Sequence, residues 1–171
     1  MKQWIFFILL SFGVSVTAQQ MNNETLGEII TQKADTINGI TGNWQFIYKE
    51  IPMLCVTDEK NNRMRIIAPI TDSNNLNKDL LLDSMTANFH SALDVKYAIS
   101  NGILWSAYVH PLKELTTEQV ESALSQVYLA AKTFGTTFSS TELLFGASAL
   151  EEEKKKEPKK EVIKKENTRK F

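Results

Sequence analysis

A single cysteine, Cys55, in 171 residues excludes an intramolecular disulfide and any Cys-rich zinc site. Two histidines, His90 and His110, are too few for a multi-histidine metal cage. The seven glycines are scattered, and neither Gly-x-Gly-x-x-Gly nor Gly-Lys-Ser/Thr occurs, so no phosphate-cradling loop is present. Nineteen basic residues against twenty acidic ones leave a net charge of −1, which removes the basic field that nucleic-acid binding needs. None of these patterns implies a metal or a cofactor. What remains is the composition of one ordinary domain, 43% hydrophobic and 23% charged, long enough to bury a core.

The first residues, MKQWIFFILLSFGVSVTAQQ, read as an export signal. Lys2 supplies the positive start, Trp4 to Val16 the apolar stretch, and Val16-Thr17-Ala18 the small side chains that signal peptidase accepts. The apolar stretch is too short to cross roughly 30 Å of hydrocarbon, so a membrane-spanning anchor is not expected. Cleavage after Ala18 places the mature protein, from Gln19 onward, in the periplasm or outside the cell. There a lone thiol is either buried or awaiting a partner. Cys55 sits in the apolar run Ile51-Pro-Met-Leu-Cys-Val-Thr57, which predicts a small buried core residue and not a nucleophile.

Two segments follow the signal. Residues 19–150 carry nine basic and fourteen acidic side chains and read as a single α+β domain. Residues 151–171, EEEKKKEPKKEVIKKENTRKF, are charged and low in complexity. They hold too few apolar groups to offset ordering entropy, which predicts a disordered, solubilising tail.

Within the domain, Leu26, Ile29, Ile30, Ala34 and Ile37 fall at helical spacing, predicting a helix over 23–37 stopped by Asn38-Gly39. Trp44, Phe46 and Tyr48 alternate as in a strand. Met53 to Thr57 and Arg63 to Ala68 flank a polar five-residue loop, with Pro69 predicted to end the second strand. A second helix is expected over about 76–92, with Leu81, Met85, Phe89 and Ala92 on its inner face. Val95 to Ser100 and Ile103 to Val109 are joined by Asn101-Gly102, the signature of a type I′ hairpin. That turn sets Ile99 opposite Leu104 and Tyr97 opposite Ser106. Thr116-Thr-Glu-Gln119 is a capping box that opens a last long helix stopped at Gly135. A further short helix is expected over 141–149. The order is α-β-β-β-α-β-β-α, an antiparallel sheet with helices packed on one face.

The last hairpin is apolar on both faces. Ile103, Trp105, Ala107 and Val109 point away from Leu104 and Tyr108, so the second face also wants cover. A twofold partner using these four residues is the simplest candidate, with Trp105 at its centre.

The element order, together with Met85-Thr-Ala-Asn-Phe89, the Asn101-Gly102 hairpin ending in His110-Pro111-Leu112, and Leu115-Thr-Thr-Glu-Gln119, resembles the type III secretion chaperone-like domains. Among these it is similar to the YbjN-type bacterial sensory transduction regulator family. The resemblance covers roughly residues 23–135. It implies a compact, often dimeric domain that binds protein segments and has no catalytic site. Secretion chaperones act in the cytoplasm, whereas this chain carries an export signal.

Imidazole–carboxylate pairs can be drawn for His90 with Asp94 and His110 with Glu114, yet no motif fixes a nucleophile or third ligand beside either. Structural roles are favoured: His90 at a helix C-terminus and His110 at a strand end. Arg63 and Arg65 share one strand face and could bind an anionic group, but a solvated sheet edge bearing positive charge is the expectation. The leading expectation is an exported, non-enzymatic, protein-binding or chaperone-like module of the bacterial envelope, homodimeric and able to take an extended protein segment. The alternative is a small-ligand or lipid-binding envelope protein with an aromatic pocket between helix and sheet.

Overall fold

In the computed structural model, which describes residues 20–141, Asn22 opens the first helix, α1 (Asn23–Lys33), by accepting from the Thr25 amide. Leu26, Ile29 and Ile30 bury its inner face. The helix ends four residues earlier than its periodicity suggests. The Asp35 N–H donates to the Ile47 carbonyl, and the chain turns into a strand, β1 (Thr36–Ile40), that the helical pattern concealed. Ile37 satisfies either period, and the ladder to β2 (Asn43–Tyr48) decides between them. Asn38-Gly39 is therefore strand and not helix stop. Gly39 is required there: φ is +122°, and a Cβ would lie 2.2 Å from the Asn43 carbonyl oxygen.

β3 (Ile51–Asp58) and β4 (Arg63–Asp72) form the expected hairpin. Asp58 holds its loop by accepting from the Asn61 amide and from Asn61 Nδ2. Pro69 does not end β4. A shift of register between Pro69 and Thr71 absorbs the missing N–H, and pairing with β6 resumes through Asp72.

A 3-10 turn (Ser73–Asn75) leads to α2 (Lys78–His90), whose orientation differs from expectation. Ser84 and Ala87 are its buried residues, while Met85 is 53% and Phe89 86% exposed. Asn88 explains the rotation, because its amide bonds the Tyr97 backbone and so turns the 84–87–88 face toward the sheet. Small side chains at 84 and 87 then permit close approach.

β5 (Lys96–Ser100) and β6 (Ile103–His110) pair with Ile99 opposite Leu104 and Tyr97 opposite Ser106, as the Asn-Gly turn specifies. Asn101 and Gly102 both take positive φ. The capping box of Thr116 and Gln119 opens α3 (Thr117–Thr133). Val120, Ala123, Leu124, Val127 and Ala130 form its buried stripe.

The sheet is antiparallel with order β1-β2-β3-β4-β6-β5. α3 packs on β4 and β6, α1 on α3, and α2 on β5. Met53, Cys55, Met64, Ile66 and Leu104 meet Leu26, Leu124 and Val127 in the core. The α+β class thus holds, with one strand more than expected. The export signal, the short helix over 141–149 and the charged tail lie outside the described residues, apart from Thr141.

Candidate functional site: the open face of the sheet

Strand alternation sends Trp44, Phe46, Met53, Cys55, Ile66 and Tyr108 to the helix-covered side. Their neighbours emerge on the other side. One cross-strand row there runs through all six strands: Asn38, Gln45, Leu54, Ile67, Ala107 and Lys96. Beside it lie Thr36, Ile47 and Pro52 in one register and Pro69, Trp105 and Ala98 in another. Between these rows is a groove of about 380 Å³, floored by Ile47, Pro52, Leu54, Pro69 and Trp105. Thr36, Asn38 and Gln45 supply hydroxyl and amide groups at its β1–β2 end. A further row places Val56 and Val109 either side of Arg65, with Arg63 two residues along the same strand face; β4 lies between β3 and β6, so the two arginines are on an inner strand and not at the expected sheet edge.

All four residues expected at an interface lie on this face. Ile103, Trp105 and Ala107 are half-buried, and Val109 is 60% exposed. Of them, only Trp105 lines the groove. Its ring is held by an Nε1–H bond to the Ser100 carbonyl at 3.2 Å. Sequence reasoning missed Ile47, Pro52, Leu54 and Pro69. The alternation within Ile51–Thr57 carries the signal for Pro52 and Leu54, because Met53 and Cys55 claim the opposite side. Thr36 and Asn38 were hidden by the assignment of β1 to a helix.

Both carboxylates drawn beside the histidines are bonded by side-chain amides. Asp94 is engaged by Gln126, whose Nε2 donates to Oδ2 and whose Oε1 accepts from the Asp94 amide. Glu114 accepts twice from Asn62 Nδ2, and those bonds hold its carboxyl below the usual range, with His110 adding a smaller attraction. His110 Nδ1 lies 2.8 Å from the Pro111 carbonyl oxygen, with its ring stacked on Tyr108. His90 is the last residue of α2, edge-on to Phe89. Burial pushes the Cys55 thiol up to about 12, so it stays protonated and unreactive at neutral pH. Among the described residues no group of three or more His, Cys, Asp or Glu side chains could hold a metal ion. No described helix is long and apolar enough to cross a membrane.

No protein-family model matches the chain, and no curated protein matches it in sequence. Two solved structures are similar in fold. One is the HopA1–SchA chaperone–effector complex, in which a chain matches with a TM-score of 0.51 at 10% identity, over 64% of this chain and 88% of that one. The other is the ExsC–ExsE complex, with a TM-score of 0.52 at 15% identity, over 73% of this chain and 94% of that one. At such identities the fold alone is shared. On this comparison the chain has a type III secretion chaperone-like fold.

Proposed function

We propose that this protein is a non-enzymatic, chaperone-like module that holds an extended apolar segment of another protein across the open face of its sheet. The observation that carries this is the groove between cross-strand rows, apolar along its floor and amide-rich at one end. Six strands about 4.8 Å apart span roughly 24 Å, the length of about seven extended residues. Apolar side chains of the segment would enter between Leu54, Pro69 and Trp105, while Asn38 and Gln45 offer hydrogen bonds to its backbone. The fold shared with a chaperone–effector complex supports a protein partner. No observation favours the lipid-binding alternative, since the space between helices and sheet is filled by side chains such as Met53, Ile66 and Leu124, each under 3% exposed.

A homodimer through Ile103, Trp105, Ala107 and Val109 is part of this proposal. Without a client, pairing of two such faces removes an apolar patch from water. A client and a second copy would compete around Trp105, so client binding should open the dimer. Export to the periplasm or beyond, with cleavage after Ala18, is proposed from the leader sequence. Intact mass of protein made in a bacterial host checks this, and a chain starting at Met1 overturns it.

The deciding experiment places a photo-crosslinking residue at Leu54 and, as a control, at Lys132 on the helix side. Envelope extract should give peptide adducts at 54 and none at 132. Equal adducts at both positions, or lipid in place of peptide at 54, would overturn the proposal.

A further inference from the structure

β6 outruns its neighbour at one end. Its ladder with β5 stops at Ala107 opposite Lys96, whereas its ladder with β4 continues to His110. The residues just before Lys96 bend aside through Leu93, whose φ of +40° is costly for a side chain with a Cβ. Between this bend, the end of β6 and α3 lies a cleft of about 420 Å³. It shares no lining residue with the groove.

The polar groups of the cleft are held in place. Gln126, 7% exposed, accepts from the Asp94 amide through Oε1 and donates through Nε2 to Asp94 Oδ2 and Ser122 Oγ. A buried amide of α3 thus fixes the Asp94 carboxylate and leaves its Oδ1 without a partner among the described residues. Tyr108 is 5% exposed, yet its hydroxyl also has no hydrogen-bond partner among the described residues. Buried hydroxyls normally find one. Burial, and after it the charge of Asp94, raises the Tyr108 pKa above 10.0, so the group stays a neutral hydroxyl at pH 7. The His110 ring stacks on that of Tyr108. Its Nδ1 faces the Pro111 carbonyl, which can only accept, so the neutral ring keeps Nε2 as a free acceptor. Lys96 donates to the Leu93 carbonyl and has two more N–H groups to give.

We propose that this cleft binds a free α-amino acid as its zwitterion, with the ammonium on Asp94, Tyr108 and His110 and the carboxylate on Lys96. Three acceptors, one of them anionic, answer the three N–H groups of an ammonium. Lys96 supplies the opposite charge, which a simple amine would leave unused. The charges of Asp94 and Lys96 cancel, so a net-neutral zwitterion suits the pair better than a cation or an anion. Leu93 and Val109 line the same cleft and offer an apolar wall to a small aliphatic side chain. The volume falls in the range of small-molecule sites.

Titration of the full chain with L-valine, followed by amide chemical shifts, tests this. Saturable shifts should appear at residues 93–96 and 108–110. Isobutylamine lacks the carboxylate and isovalerate lacks the ammonium, so each loses a charge-assisted contact and should bind at least tenfold more weakly. Tyr108→Phe removes only the partnerless hydroxyl. It should weaken L-valine binding about fivefold and leave the thermal melt unchanged. Lys96→Met should abolish the preference for L-valine over isobutylamine. The absence of a saturable shift with L-valine overturns the proposal. So does equal binding of either half-molecule by the wild type, undiminished binding by Tyr108→Phe, or an unchanged preference in Lys96→Met.

Discussion

The side-chain amide of Asn88 closes both backbone groups of Tyr97: Nδ2 donates to its carbonyl at 3.1 Å, and Oδ1 accepts from its N–H at 2.7 Å. A helix residue thereby takes the place of a neighbouring strand at the β5 edge of the sheet. The contact blunts an edge that would otherwise offer itself to another chain. It also fixes the rotation of α2, which is what turns Leu82, Met85 and Phe89 outward.

Asn88→Ala should cost about 1–3 kcal/mol, since it leaves two backbone groups of a buried residue without partners. Urea denaturation measures the loss. The variant should also aggregate faster in partly denaturing urea, because the middle of the β5 edge is then open.

Trp105→Asp should leave the fold in place while abolishing segment binding and weakening the dimer. The ring lies on the open face, and its loss removes one hydrogen bond, about 1 kcal/mol. Leu104→Asp, one residue away but pointing into the core at 1% exposure, should unfold the protein. Sedimentation velocity and circular dichroism on the pair separate the two faces. A wild type that stays monomeric at high concentration overturns the dimer, and a Trp105→Asp chain that unfolds shows that the ring is needed for the fold.

Stability should decline above about pH 9, the ordinary thiol value, toward pH 12. The folded chain keeps the Cys55 proton up to about 12, whereas the unfolded chain releases it near 9.0. Fewer protons bound in the unfolded state means that stability falls as pH rises through this window. Tyr97, pushed by burial from 10.0 to about 12, acts in the same direction. Urea midpoints against pH should fall less steeply in Cys55→Ala. Iodoacetamide at pH 8 should label the native thiol far more slowly than the thiol of the unfolded chain.

Thr116→Ala should destabilise α3 by about 0.5–2 kcal/mol, because it removes the acceptor for the Gln119 amide from a reciprocal box. A thermal melt checks it. Thr117→Ala, the neighbouring exposed residue within the helix, should be near neutral.

Local chemistry made much of this protein legible in its residues. The Asn101-Gly102 turn allows one tight hairpin, and so the register of β5 on β6 and the outward face of Trp105 follow from the sequence alone. The Thr116–Gln119 box marks where α3 begins, and the polar Asp58–Asn62 loop marks the turn between β3 and β4. Burial of Cys55 follows from the apolar, strand-like run Ile51–Thr57 around it. Other features depended on partners distant in sequence. Ile37 fits a helix and a strand equally, and the Ile47 carbonyl decided between them by capturing the Asp35 amide. Pro69 should halt a strand, but β6 alongside it allowed a bulge that keeps the ladder going. The apolar pattern of α2 selects Phe89 for burial, yet two hydrogen bonds to Tyr97 outweigh that choice and leave Phe89 in water. The groove itself is a sum over five strands, visible only when their registers are set side by side.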